Sequence, residues 1–440
     1  MSNNLLNISS ITNEALMVLE NECVVIDQIC RDYDSQFAVT GAKIGAVVNA
    51  RKPARFKGTL GPALNVEDFN ETSVPVVLNK QFHVDTQFTT ADLALSLDDF
   101  SDRVIKPVMA AVANKLDFDA AVVGYQTIAN QVGVPGTPPT GALPFLQGGA
   151  LLDSEGAPRD GNRRIILDPW SHASVVDSLK GLFNPQAAVT SQYQKGLMGK
   201  NTLGLDWYQD QNIVSYTVGA QGGVPVYTTT GTSTAILATG WADNGTLQTS
   251  GWTAAAAPRL NVGDIFTLAG VYLVNPQSRA PVGGNRLRQF VVRAAMGVSL
   301  TNGTFAPAFD VDGATVVGGT YSSSAAGALT LSIAPAIIVG GQFQNVTAAP
   351  ANNASMVVSG VGGTVSPQSL LFHKNFMTFA TADLFLPEGV QFAGRASTKK
   401  GYSIRIVRQY TINNDALPCR VDTLYGVSPL YRELGCRVAG

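Results

Sequence analysis

The N-terminal part of the chain carries apolar residues at helical spacing. Between Thr12 and Asp34, they recur at intervals of three or four, at Leu16, Leu19, Cys23, Ile26 and Cys30. This spacing predicts an amphipathic helix with one apolar stripe. Because an exposed stripe of this kind is suited to binding another chain, we take Leu16, Leu19 and Ile26 as candidate contact residues.

Residues 45–90 change to a period of two. Phe82, Val84, Thr86 and Phe88 alternate with Gln81, His83, Asp85 and Gln87, which predicts a long strand with one solvent-facing side. An uncovered edge of such a strand invites pairing with another chain.

Before this strand, ARKPARFKG at 50–58 and the turn-rich GTLGP after it indicate an exposed, extended excursion. Its basic cluster consists of Arg51, Lys52, Arg55 and Lys57. These side chains are candidates for contacts with phosphates or with acidic groups of a neighbour, and a solvated loop is the alternative.

Helical spacing returns from Ser96 to Gln131, where Ser96 and Asp99 resemble a capping box. Pro107 interrupts the pattern, so we expect a kink or two abutting helices there. The apolar face comprises Phe100, Val104, Val108, Val112, Leu116, Ala120 and Val123. We expect a loop over 132–160, a buried strand at RRIILDP (163–169) and a helix from about 170 to 182.

The centre of the chain uses few charges. No Glu occurs between Glu155 and Glu388, and no Lys between Lys200 and Lys374. The turn dipeptides Asn244-Gly245, Asn302-Gly303 and Asp312-Gly313 lie in this stretch, which lacks helical periodicity. We therefore predict a separate all-β domain at about 222–360. Strands near 376–386, 402–411 and 419–426 then return the chain to the first domain, so that the β domain is an insertion.

The overall composition points to a surface that other chains cover. The charged fraction is 14%, well below the roughly 25% of ordinary soluble domains. The net charge of −2 offers no strong footprint for nucleic acid. The four cysteines have no metal-ligand spacing, the N-terminus does not read as a signal peptide, and no apolar run is long enough to span a membrane. We expect reduced thiols, a cytoplasmic protein and no cofactor.

Few residues suggest catalysis. GLMGKNT at 196–202 departs from the phosphate-loop pattern, and GTSTA at 231–235 misses the nucleophile elbow by its last residue. His373 and Lys374 stand inside an apolar run without another titratable group nearby to pair with. The sequence therefore predicts no enzyme.

Four segments and their order carry a family resemblance. They are VDTQFTTADLALSLDDFSDRVIKPVMAAVANKLDFDA (84–120), RRIILDPWSH (163–172), NVGDIFTLAGVYLVNP (261–276) and FHKNFMTFATADLFLPEG (372–389). They resemble the P22-type coat proteins of tailed bacteriophages, which have the Hong Kong 97 capsid fold with an inserted β-barrel-like domain. The resemblance implies an α+β fold with an N-terminal arm (1–40), an extended loop or E-loop (41–95), a spine helix with the first part of the peripheral and axial core (96–221), the inserted β domain (222–360) and the second part of the core (361–440).

The same resemblance implies function and partners. The chain is expected to be a major capsid protein that forms hexamers and pentamers of an icosahedral shell around double-stranded DNA, with only weak, non-specific DNA contacts. A portal protein and, since only about 40 residues precede the first strand, a separate scaffolding protein are expected partners. A decoration protein is left open, and no membrane is involved. The location would be the virion, assembled in the host cytoplasm. His373, Lys374 and Asn375 would form a polar turn before a strand buried on both faces.

One alternative from another class remains. The Gly-, Ser- and Thr-rich β region is also typical of an exported adhesin or fibre protein. That reading predicts an export signal and a sequence repeat, and we find neither.

Overall fold

The computed structural model describes residues 15–19, 22–31, 47–52, 54–64, 66, 71–89, 105–179, 202–295, 303–309, 316–397, 402–413 and 415–440. The chain divides into two compact units. The first comprises Met1–Ala50, Ser73–Ala120 and Met377–Leu430, and the second comprises Arg51–Thr72, Ala121–Phe376 and Tyr431–Gly440. Helices and strands are mixed along the chain, so the predicted α+β class is confirmed, while the five finer domain boundaries stay predictions.

The first unit is built on a sheet around one long strand. The strands of this sheet are β3 (Lys80–Thr89), β20 (Met377–Ala382), β21 (Phe392–Ser397), β22 (Ser403–Arg408) and β23 (Ala416–Pro429). Two further strands, β1 (Val47–Lys52) and β2 (Thr72–Val77), pair with each other in a separate two-stranded sheet, and most of their residues belong to this unit. β3 pairs antiparallel with β23 from Thr89 opposite Ala416 to Lys80 opposite Tyr425. β20 and β22 pair with the other edge of β23.

The alternation predicted for β3 is confirmed over 81–87. Gln81, His83, Asp85 and Gln87 are exposed, and Phe82, Val84 and Thr86 are less so. One edge of the strand is covered by β23 of the same chain, which satisfies half of the backbone groups that an isolated strand would expose.

Helix α1 (Lys106–Thr127) confirms the described part of the helix predicted from Ser96 to Gln131, but it ends at Thr127, and Gln131–Val132 form a short strand. Val108, Val112, Leu116 and Ala120 are buried, as their helical spacing predicts. Pro107 lies in the first turn of the described helix, where a missing backbone N–H is tolerated. The predicted cap at Ser96 lies outside the described residues, and the kink is therefore untested.

The predicted N-terminal helix ends earlier than expected. Residues 15–19 are helical, but Ile26–Gln28 form a 3₁₀ helix and Cys30 bridges Thr378 as extended chain. A continuous helix over 12–34 is therefore wrong beyond residue 22. The Asp117 carboxylate accepts hydrogen bonds from the backbone N–H groups of Val24 (2.7 Å) and Ile26 (3.0 Å), which replaces helical hydrogen bonding with a tertiary partner.

The second unit contains a sheet flanked by two helices. Its elements are β4 (Gln131–Val132), α2 (Leu143–Ser154), β5 (Arg163–Leu167), α3 (Pro169–Leu179), β6 (Asp206–Gln209), β7 (Ser215–Thr217), β19 (Val365–His373) and β24 (Gly435–Ala439). The strand order is β4-β24-β19-β5-β6, with β7 on β19. The strand and helix predicted at 163–182 are confirmed as far as Leu179, beyond which residues are not described. The predicted loop over 132–160 is wrong, because α2 lies within it and buries Phe145, Gly148, Leu151 and Leu152.

As predicted, all regular secondary structure described between Gly223 and Val358 is β-strand. These are β8 (Gly223–Tyr227), β9 (Ile236–Leu237), β10 (Gly245–Trp252), β11 (Pro258–Asn261), β12 (Ile265–Tyr272), β13 (Leu287–Arg293), β14 (Thr304–Phe309), β15 (Val316–Ser322), β16 (Leu329–Ala334), β17 (Ile337–Ile338) and β18 (Met356–Val358). They form sheets ordered β18-β12-β13-β16-β10-β8 and β11-β15-β14 and the pair β17-β9. Phe266, Phe290, Tyr321 and Leu331 belong to one core that draws only on this segment.

The turn dipeptides have mixed outcomes. Asn244-Gly245 does not join two paired strands, because β10 pairs with β16 and β8 whereas β9 pairs with β17. β14 and β15 do form an antiparallel hairpin around 310–315. Asn302 and Asp312-Gly313 lie outside the described residues. Within the described part of the chain, no helix is long and apolar enough to cross a membrane.

Candidate assembly surfaces

The segment between β1 and β2, residues 54–66, is an exposed excursion without a helix or strand in its described residues. Its apolar side chains face solvent: the exposed fraction is 58% for Phe56, 108% for Leu60, 91% for Leu64 and 79% for Val66. Large apolar side chains that lie exposed on one short segment are candidates for contact with other molecules. The excursion is therefore the first candidate assembly surface.

The structure separates the four basic residues of the predicted cluster into two pairs. Arg51 and Lys57 are exposed, and Arg51 lies 4.0 Å from Glu71. Lys52 instead lies over the rings of Trp241 and Tyr431, with its ammonium 5.6 and 5.2 Å from the two ring centroids. Arg55 donates to the Glu433 carboxylate at 2.8 Å. Of the four, Arg51 and Lys57 are thus exposed, whereas Lys52 and Arg55 are half-buried.

Lys52 and Arg55 line a cleft of about 190 Å³ in the second unit. Arg432 also lines it, 2.6 Å from Asp243, and an ion pair of Arg288 with Glu155 lies at its base. Each of these carboxylates therefore faces an arginine. Such pairs hold chain segments in place.

Burial and charge shift the pKa values in the cleft. Burial lowers the pKa of Lys52, an effect that the negative charges of Glu433 and Asp243 oppose. Burial alone would raise the pKa of Glu433, but the nearby Lys52 and Arg55 outweigh it and hold that pKa below its ordinary value. The two basic side chains thus favour the charged form of Glu433, whereas burial works against the charged form of Lys52.

Arg279 is a contact residue that sequence reasoning missed. It donates hydrogen bonds to the backbone carbonyls of Phe56 at 2.7 Å and Lys57 at 3.3 Å. More than 200 residues separate the partners, and no local sequence signal connects them. The excursion is therefore held near its start, at Phe56 and Lys57, by a residue of the same unit.

The N-terminal candidates are buried within their own chain. Leu16, Leu19 and Ile26 are 4%, 1% and 0% exposed in the first unit, so the expectation of an exposed stripe is wrong. The cause is that the stripe packs into the core of this unit and its backbone is held by Asp117. Direct contact of these three residues with another subunit stays an untested prediction.

His373 has a partner that is distant in sequence. Its Nε2 lies 3.1 Å from the Asp160 carboxylate, and its Nδ1 accepts the N–H of Asn375. Because Nδ1 accepts, Nε2 carries the proton that points to Asp160. Hydrogen bonds from Asn162 and then from His373 lower the pKa of Asp160 to about 2. The turn predicted at His373, Lys374 and Asn375 lies one residue later, because His373 ends β19 and Lys374–Phe376 form a 3₁₀ helix. The strand that follows, β20, is buried on both faces up to Thr381, as predicted.

Comparison with known proteins places the chain in a family. A family model described as "P22 coat protein - gene protein 5" matches residues 63–440. Among solved structures, the chain is similar to one from Mycobacterium phage Che8 (TM-score 0.42, 9% identity, 94% of this chain and 90% of that chain). It is also similar to the capsid of Ralstonia phage GP4 (TM-score 0.43, 7% identity, 94% and 86%). No curated protein sequence matches it.

The family match includes β3, α1 and every described element that follows them, and it leaves out only the first 62 residues. Because it covers most of the chain, the chain belongs to the P22 coat protein family and is a phage major capsid protein.

Proposed function

We propose that this coat protein assembles through hexamers and pentamers into an icosahedral shell that encloses double-stranded DNA, and that the excursion 54–66 contacts a neighbouring subunit. The observation that carries the proposal is the exposure of Phe56, Leu60, Leu64 and Val66 on one short segment. A coat protein that left these groups in water would expose four large apolar side chains on one short segment. Burial against a neighbouring subunit removes these side chains from water.

Apolar contacts suit this chain better than ion pairs. Burial of apolar surface stabilises by about 25 cal/mol per Å², so several hundred Å² outweigh an exposed ion pair of about 0–1 kcal/mol. The charged fraction of 14% supports the same preference. We infer that overlapping loops and flat apolar faces hold the shell together, with Arg51 and Lys57 as peripheral contacts.

The partners follow from the same proposal. Assembly would proceed in the host cytoplasm through a procapsid that a separate scaffolding protein helps to form, with a portal protein at one vertex. The net charge of −2 supports weak, non-specific contact with the packaged DNA. The role of the chain is then structural and not catalytic.

Electron microscopy of the purified chain tests this function. We would express it alone and together with a candidate scaffolding protein from the same genome. Closed shells of uniform size are the expected result in the presence of the scaffolding protein. Monomers or small rings under both conditions would contradict the proposal, and fibres would favour the adhesin alternative.

A further inference from the structure

The root of the excursion, residues 52–57, is held at three successive points. The Lys52 ammonium lies between the rings of Trp241 and Tyr431, and the Arg55 guanidinium pairs with Glu433 at 2.8 Å. The carbonyls of Phe56 and Lys57 then accept hydrogen bonds from Arg279. The inserted β region supplies Trp241 and Arg279, and the C-terminal segment supplies Tyr431 and Glu433.

Beyond the root, the chain is exposed. Every residue from Lys57 to Leu64 is exposed, and Leu60 is completely so. Gly58 has a φ of +66°, a left-handed conformation that glycine adopts without strain, directly after the last clamped carbonyl. The held root and this bend together set the direction in which the apolar tip leaves the subunit.

Arg279 is suited to hold a backbone. Its planar guanidinium carries several N–H donors in a fixed geometry, so two neighbouring carbonyls can be bound at once. The residue itself has a φ of +55°, which is uncommon for a side chain of this size. Its own N–H donates to Asn275 at 2.8 Å, which fixes that turn. A non-glycine residue in such a conformation is maintained by its surroundings and is often functional.

We propose that Arg279, Glu433 and the Trp241–Tyr431 ring pair form a clamp that fixes the exit direction of the excursion and thereby the curvature of the shell. This inference rests on the proposed contact of the excursion with a neighbouring subunit. Loosening the clamp leaves the subunit folded and able to associate, but allows the tip to meet neighbours at varied angles. Shells of mixed size follow.

Trypsin tests the clamp in the unassembled chain, because it cleaves after lysine and arginine and Lys57 is the last residue of the root. In Arg279→Gln, we expect cleavage between Lys57 and Gly58 to be about tenfold faster than in the wild type, since cleavage follows local opening. Arg286→Gln is the matched control, because Arg286 is an exposed arginine of the same β region. An unchanged cleavage rate in Arg279→Gln, with a thermal unfolding midpoint like that of the wild type, would overturn the clamp.

A second pair of variants tests the clamp at a different residue, in case Arg279→Gln does not fold. Arg55→Gln removes the ion pair with Glu433, whereas Arg51→Gln changes an exposed arginine four residues earlier. We expect faster cleavage only in Arg55→Gln. Equal rates in the two variants would count against the clamp.

Electron microscopy of shells from the same variants tests the effect on curvature. We expect the wild type, Arg286→Gln and Arg51→Gln to give one shell size, and Arg279→Gln and Arg55→Gln to give several. Uniform shells from a variant with accelerated cleavage would overturn the link between clamp and curvature while leaving the proposed function intact. Absence of shells from the wild type would instead refute the proposed function.

Discussion

The ammonium group of Lys80 lies 2.9 Å from a carboxylate oxygen of Asp119, whose side chain is completely buried in the first unit. The Tyr425 hydroxyl donates to the same oxygen at 2.7 Å, and Lys115 lies 3.3 Å from the other oxygen. A buried carboxylate is tolerated only when such partners compensate its lost hydration. Asp119 therefore ties β3 and β23 to α1.

We predict that Asp119→Ala lowers the free energy of unfolding by about 3–5 kcal/mol, because two ammonium groups lose their shared buried partner. Urea denaturation of the unassembled chain measures this. Arg51→Ala is the control: it removes an exposed arginine 4.0 Å from Glu71 and should cost less than about 1 kcal/mol. Equal effects of the two substitutions would show that the Asp119 cluster is not a stabilising element.

The N-terminal apolar stripe should contribute to the stability of the folded subunit. Ile26 is completely buried, so Ile26→Ala should cost about 2–5 kcal/mol in unfolding free energy. Met17→Ala, at a residue that is 60% exposed, should stay within about 0.5 kcal/mol. Thermal unfolding of both variants measures the two stability effects.

Deletion of residues 12–34 should likewise prevent normal shells, because the subunit loses core residues and the backbone partners of Asp117. The yield of soluble, folded monomer is the readout. Correctly sized shells from the truncated chain would refute both the folding role and any assembly role of this segment.

The buried carboxylate of Asp264 should make the unfolding free energy depend on pH. Its buried carboxylate accepts hydrogen bonds from the Tyr216 hydroxyl and from the N–H groups of Gly219 and Asn261, and burial raises its pKa from 3.8 to about 6. The folded chain thus holds this proton more tightly than the unfolded chain. The stabilising contribution is complete below about pH 4 and is lost as the pH rises through about 6.

The variant Asp264→Asn cannot titrate at this position. The difference in unfolding free energy between wild type and variant should therefore move against the wild type by about 2 kcal/mol between pH 4 and pH 7. Urea titrations at a series of pH values give this difference. A difference that does not change with pH would contradict the assignment.

The exposed tip of the excursion should matter for assembly alone. Leu60→Ser with Leu64→Ser alters side chains that are 108% and 91% exposed, so unfolding free energy should change by no more than about 0.5 kcal/mol. Shell yield should fall by about tenfold or more, as expected for loss of an interface anchor of 2 kcal/mol or more. Val134→Ser, at a 61% exposed valine outside the excursion, is the control. Comparable losses in both variants, measured by sedimentation, would remove the special role of the tip.

Local periodicity predicted the helices and strands that bury one side and expose the other. The period of two gave β3, and the three-four spacing gave α1, because each element buries one side. Helix α2 escaped prediction, since the turn-rich stretch VPGTPPTG at 134–141 led us to predict a loop over the whole of 132–160. A Cβ at Gly148 would lie only 3.1 Å from Leu371, so this glycine allows α2 to pack closely on β19.

Partners far apart in sequence could not be predicted. The Asp160 partner of His373 lies 213 residues away, and the Phe56 carbonyl lies 223 residues from Arg279. Likewise, the stripe at Leu16, Leu19 and Ile26 signalled burial but not the surface that covers it. The basic cluster was recognised, but which of its members face solvent depends on Trp241 and Glu433, whose positions only the fold determines.

The most direct test of the central claim is an electron cryomicroscopy reconstruction of the assembled shell, in which residues 54–66 are located relative to the adjacent subunit. We expect Leu60 and Leu64 to be buried against that subunit, while Arg279 still donates hydrogen bonds to the carbonyls of Phe56 and Lys57. An excursion that stays in solvent, or that folds back onto its own subunit in the closed shell, would contradict it.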